Sequence, residues 1–211
     1  MSIQRKTMHI IKNNIFYIKG ESQGVLGDQY KPEQAGVSRV ENIVFEKYLS
    51  NQWEQNLKDS PIFASLLGNK NFNQDIKSNS IEEFVKNKAK LQKDLASLNS
   101  FNYEKLNSDN KLNYKLKRIS LNNSIEAAQY PSYYMSLNQR GGVQSYYETG
   151  DRLVYESKQD YEDWLIRLSK YADNIANTKT NVEEGLEKGY TQPQLVTRQV
   201  ILQIDNILNS E

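Results

Sequence analysis

A chain of 211 residues with 37% hydrophobic and 25% charged side chains suits one domain or one and a half, with a thin core under a polar surface. Its 27 basic and 26 acidic residues balance, which argues against a dedicated nucleic-acid or anionic-membrane binder. With no cysteine and one histidine, His9, the chain has no disulfide, no Cys-based zinc site and no thiol nucleophile, and a catalytic triad or multi-histidine metal site would have to rest on His9.

Residues 1–36 read as an irregular leader and linker. The apolar patch near the N-terminus is broken by Lys12, Asn13 and Asn14, so it lacks the unbroken run of a signal peptide, and no stretch approaches the ~20 apolar residues of a membrane span. Residues 20–36 hold four glycines and a proline, a linker composition, and a helical domain is expected over 37–211. Its first helix carries Val37, Val40, Val44, Tyr48, Trp53 and Leu57 at helical spacing. Asp59 or Ser60 then caps a short helix that starts at Pro61 and is closed by Gly68. A polar loop follows to Ser80, where Ser80-Ile81-Glu82-Glu83 is a capping box for a helix with Ile81, Phe84, Val85, Leu91, Leu95 and Leu98 on one stripe.

The next helix opens at Ser108 or Asp109, presents Leu112, Leu116 and Ile119, continues with Leu121, Ile125 and Ala128 on a rotated stripe, and stops at Pro131. Ser157 begins the clearest one: Tyr161, Leu165, Leu168, Ala172, Ile175, Val182 and Leu186 alternate by four and three, with Lys179 the one polar break, a heptad-like seam. A last helix, 193–208, has a broad apolar face that packs back on the bundle or on a partner. Only Arg152–Glu156 has the alternation of a short strand. The expected fold is all-α, an antiparallel bundle of five or six helices with a long irregular loop around 131–157.

That loop contains the candidate site. "LNQRGGVQSYYETGD" (Leu137–Asp151) joins adjacent glycines to amides, an arginine, tyrosines and acids. It is neither a P-loop, since no Lys-Ser/Thr follows Gly142, nor a dinucleotide fingerprint. As a substrate loop, Gly141 and Gly142 would let a ligand approach the backbone, Asn138, Gln139 and Gln144 offer amide groups, and Arg140 forks onto a carboxylate. Tyr133, Tyr134, Tyr146 and Tyr147 would line the groove. The plainer alternative is that the glycines shape a connection and the tyrosines pack on helix ends. Glu148 and Asp151 suit acid–base chemistry if burial separates their pKa values, but such pairs are more often solvated faces or caps. Trp53 and Trp164 read as core aromatics.

Five stretches in order, Phe45–Gly68, Phe101–Leu116, Leu137–Gln144, Tyr161–Tyr171 and Gly185–Ile204, together resemble the bacterial domain-of-unknown-function 885 family. The resemblance implies a largely helical protein, mostly exported or membrane-anchored and similar to zinc metallopeptidases, much longer than this chain. It implies a zinc cofactor held through an H-E-x-x-H helix that this sequence lacks. The expectation is therefore a non-catalytic N-terminal third with no metal ligands of its own. Asn138, Gln139, Arg140, Gly141, Gly142 and Gln144 would form one wall of the substrate cleft. The expected partner is the C-terminal catalytic half or a second copy, through the helix 193–208. The rivals are a freestanding helical interaction module and a metal-free hydrolase using Glu148 and Asp151. The compartment is left open.

Overall fold

The computed structural model describes residues 32–210; His9 and most of the expected leader lie outside the described residues. Among the described residues there are seven α-helices, α1 (Pro32–Asp59), α2 (Pro61–Leu66), α3 (Ile81–Asn99), α4 (Ser108–Ala127), α5 (Glu148–Arg152), α6 (Lys158–Glu187) and α7 (Gln194–Leu208), and no strand. The fold is all-α, as expected. Residues 32–36, expected as linker, are already helical, in keeping with Glu33, Gln34 and Ala35, which all tolerate a helix well. Arg152 ends α5 and residues 153–156 carry no strand or bridge, so the short strand expected over Arg152–Glu156 is not formed. The added helix is α5, five residues around Gly150, too short to announce itself by periodicity.

Several termini follow the local chemistry. Gly68 takes φ 80°, Asn69 N donates to Ala64 O at 2.9 Å and Gly68 N to Ser65 O at 2.9 Å, the paired bonds of a Schellman end. Ser157 and Asp160 form a reciprocal capping box at the start of α6.

The chain divides into two units. The first takes residues up to Asn56 together with Ala89–Ala127. Its core is Phe45, Leu49, Leu98, Leu106, Tyr114 and Leu121, flanked by Tyr48, Leu91, Leu95, Phe101 and Tyr103. The expected faces of α1 and α4 are corrected in their first halves: Val40, Val44, Leu112 and Ile119 are exposed, and Asn42, Phe45, Leu49, Asn110, Asn113 and Tyr114 are buried instead, whereas Trp53, Leu57 and Leu121 are buried as expected. On α1 the buried stripe lies one residue, about 100° of rotation, from the one the valines mark. Buried asparagines set that rotation. Asn42 Nδ2 donates to Lys105 O (3.1 Å), and its Oδ1 accepts from Asn107 N (2.9 Å) and Asn110 Nδ2 (2.8 Å).

The second unit takes Leu57–Lys88 and the chain from Ala128 onward. Here α6 is inverted relative to its pattern. Tyr161, Leu165, Leu168, Ile175 and Leu186 of the apolar seam are exposed, while Asp160, Asp163, Arg167, Tyr171, Asn174, Thr178, Asn181 and Gly185 form the buried face. The reason is the segment 69–80, which lies along that face and is hydrogen-bonded to it side chain by side chain. Arg167 Nη2 donates to Phe72 O (2.7 Å), Gln74 Nε2 to Asp163 Oδ1 (2.8 Å) and Asn174 Nδ2 to Lys77 O (2.9 Å). Asn79 donates to Thr178 Oγ1 (2.8 Å), and its carbonyl accepts from Asn181 Nδ2 (2.8 Å). A segment with this much backbone to satisfy needs a polar surface, and α6 supplies it. Further along α6, Gly185 faces Tyr134: a Cβ there would come within 2.7 Å of the tyrosine Cβ.

Asp160 anchors one end of this face. It accepts from Glu156 N and Ser157 N at 2.9 Å each and from Lys70 Nζ at 3.0 Å. The Lys70 ammonium is the largest influence, and the carboxyl is held down at about 2, against an ordinary 3.8. A depressed carboxyl stabilises the fold only while ionised. Its contribution is complete above pH about 4 and fades as pH falls toward about 2. Urea midpoints measured from pH 5 to pH 2 are expected to fall less steeply in Asp160→Asn than in the parent chain; identical slopes would contradict this role.

Candidate functional site

The segment between α4 and α6 is a chain of tight turns. Ser132–Met135 and Val143–Ser145 are 3-10 turns, and between them Asn138 and Gly141 exchange both backbone hydrogen bonds (3.1 and 3.2 Å). Asn138 Oδ1 accepts from Arg140 N at 2.9 Å, the local bond that suits asparagine to turns. Gly142 takes φ 144°, and a Cβ on it would collide with Gln144 Oε1. Gly142 is thus required by the turn itself, whereas a side chain at position 141 would meet nothing within 4 Å.

Gln144 is the hub. It is 8% exposed, and Nε2 donates to Asn138 O (2.9 Å), Gly141 O (3.3 Å) and Gln203 Oε1 (3.2 Å). Gln203 Nε2 in turn donates to Gln139 O at 3.0 Å, so α7 is stitched to the turn through one side chain. Beside this junction lies an open cleft of about 530 Å³.

Of the six candidate residues, Gln139, Arg140, Gly141 and Gln144 line the cleft. Asn138 and Gly142 shape the turn from behind. Of the tyrosines, only Tyr147 lines it. Tyr134 is buried, its hydroxyl donating to Glu184 Oε1 at 2.8 Å. The Tyr133 ring packs tilted against Phe84 at 5.1 Å and the Tyr146 ring against Tyr171 at 4.3 Å, so these three serve packing. Glu148 lines the cleft, whereas Asp151 does not. Gln203 and Asn206 complete the wall from α7; the sequence marks them only as the polar positions of an amphipathic helix.

A second cavity of about 360 Å³ includes Ser65, Lys70, Tyr155, Asp160 and Trp164, with Lys70 bridging Glu156 and Asp160 at 3.0 and 2.9 Å. Close by, Arg167 is fully buried, with Nη2 bonded to Ser65 Oγ (2.8 Å); burial lowers its pKa.

Zinc does not fit the described residues: no group of three or more His, Cys, Asp or Glu among them is placed to hold a metal ion. No described helix is long and apolar enough to cross a membrane.

The fold and the cleft define an all-α protein built around a glycine-turn wall. A family model described as "Bacterial protein of unknown function (DUF885)" matches residues 61–211, and the chain belongs to that family. The match takes in four of the five resembling stretches whole and the end of the first. No curated protein and no solved structure matches the chain.

Proposed function

We propose that this chain is the scaffold region of a larger zinc-metallopeptidase-like protein. Its 137–151 turn forms one wall of the substrate cleft, and the metal is held by an H-E-x-x-H helix on the remaining polypeptide. The observation that supports this reading is the inverted helix. The α6 seam, with Leu165 64% and Ile175 52% exposed, and the α7 face, with Ile201 51% and Leu202 54% exposed, present apolar surface that the described residues leave bare. Apolar exposure on this scale suits surfaces that another protein segment covers. The chain supplies substrate positioning; the zinc would supply an activated water and a Lewis acid.

Two measurements test the reading. The purified chain is expected to bind no stoichiometric zinc and to cleave no peptide; chelator-sensitive hydrolysis by the chain alone would overturn it. Leu165→Gln together with Ile175→Gln is expected to leave the melting temperature of the chain within about 3 °C of the parent, because both residues are more than half exposed. The same pair should abolish binding to an H-E-x-x-H polypeptide of the family, read by light scattering after size exclusion. Unfolding of the variant, or undiminished binding, would count against the docking surface. The same bare face serves the second reading, a freestanding module, if light scattering shows a homodimer that this pair of substitutions breaks.

A further inference from the structure

Helix α7 has two opposite faces. Val200 is buried and Gln203 is bonded to Gln144 and to the Gln139 carbonyl, so that side meets its own unit. The other side carries Leu195, Arg198, Ile201, Leu202, Asp205 and Leu208. At about 100° per residue these six fall within an arc of about 140°, centred opposite Val200 and Gln203. The four aliphatic side chains are each more than half exposed. Arg198 and Asp205 are also exposed, and neither forms an ion pair among the described residues.

The six are self-complementary. Counted outward from the Ile201–Leu202 peptide bond, Leu202 answers Ile201, Asp205 answers Arg198 and Leu208 answers Leu195, each pair at equal separation from that centre. A two-fold axis at the centre, perpendicular to the helix, lays a second copy of α7 antiparallel on the first and brings each residue level with its counterpart. Arg198 then meets the partner's Asp205, and Asp205 meets the partner's Arg198, about 5 Å along the axis on either side of the centre. A parallel pairing in register would set arginine on arginine and aspartate on aspartate. Burial of the aliphatic side chains drives the association. The ion pairs add little each, and their main effect is to choose direction and register.

We propose that α7 binds a second copy of this chain as an antiparallel pair centred on the Ile201–Leu202 bond, with reciprocal Arg198–Asp205 ion pairs. The inference goes beyond the scaffold reading. It uses the outer face of α7 alone and leaves the α6 seam to the remaining polypeptide. Leu165→Gln with Ile175→Gln therefore leaves this dimer intact, and the two readings fail separately. One helix from each subunit makes a small interface, so association is expected in the micromolar range.

The test is sedimentation equilibrium of the chain from about 10 µM to about 1 mM. The parent should dimerise. Arg198→Asp places like negative charges on each other at both contacts, and Asp205→Arg places like positive ones. Either variant alone should associate at least about tenfold more weakly than the parent. An equimolar mixture of the two variants recreates both opposite-charge contacts, and it should form a one-to-one heterodimer within about threefold of the parent affinity. Both positions are exposed, and an unchanged far-UV spectrum verifies that each variant folds. A parent chain that stays monomeric up to about 1 mM is the result if other polypeptide covers this face, and it would overturn the proposal. So would a dimer that the charge reversals leave unchanged, or a mixture that fails to associate.

Discussion

Asn174→Leu is expected to lower the stability of the chain by about 2–4 kcal/mol, although it places a more hydrophobic side chain at a position only 2% exposed. The amide of Asn174 satisfies two main-chain groups of the facing segment: Nδ2 donates to Lys77 O at 2.9 Å and Oδ1 accepts from Asn79 N at 3.3 Å. Leucine leaves both without a partner, at about 1–3 kcal/mol each, and the gain in apolar surface offsets only part of that. A view in which burial of apolar surface alone drives α6 predicts the opposite sign. Urea unfolding decides between them: an unchanged or raised midpoint for Asn174→Leu would show that the polar interface does not hold the segment 69–80.

The second large effect lies in the first unit. Phe45→Ala should cost about 3–5 kcal/mol. The ring is wholly buried and meets Phe101 edge-on at 5.1 Å and Tyr48 at 6.0 Å, so truncation removes both apolar burial and aromatic contacts. The neighbouring Val44→Ala, at a position 51% exposed, should change stability by no more than about 0.5 kcal/mol. The contrast tests the rotation of α1 directly. Comparable losses at the two positions would mean that the valine stripe, and not the phenylalanine one, faces the core.

These two substitutions also show what was legible beforehand. Helix ends were, because they depend on a few residues acting locally: Pro61 and Gly68 bracket α2, and Ser157 with Asp160 opens α6. Helix faces were legible in part: Leu91, Leu95 and Leu98 of α3 face the core as expected, but the faces of α6 and of the start of α1 do not follow the apolar spacing. On α6 the heptad spacing is real, yet it marks the outward side, because Asn174, Thr178 and Asn181 are held by residues 95–102 positions earlier. Asparagines in residues 69–80 signalled a loop, which is correct, but the same chemistry makes that loop the partner of a helix. On α1, the amide bonds of Asn42 to Lys105, Asn107 and Asn110 fix a rotation that apolar spacing alone places one residue off.

The candidate site divides along the same line. The glycine pair and its amides were visible because a left-handed φ at Gly142 is a local demand. The contribution of Gln203 was not, since it reaches Gln144 from 59 residues further along the chain and is one of several polar positions on an amphipathic helix. Tyr133, Tyr134 and Tyr146 drew attention by number, but a ring is as useful to packing as to a ligand, and only long-range contacts separate the two uses.

The polar seam between residues 69–80 and α6 bears on biosynthesis. The segment leaves the ribosome well before the helix it pairs with, and meanwhile the remainder of the first unit, Ala89–Ala127, is translated. A hydrophobic strip left waiting that long would be an invitation to aggregate. Asparagine, glutamine and lysine can wait in water at no such risk, and exchange solvent for Asn174, Thr178 and Asn181 once α6 arrives.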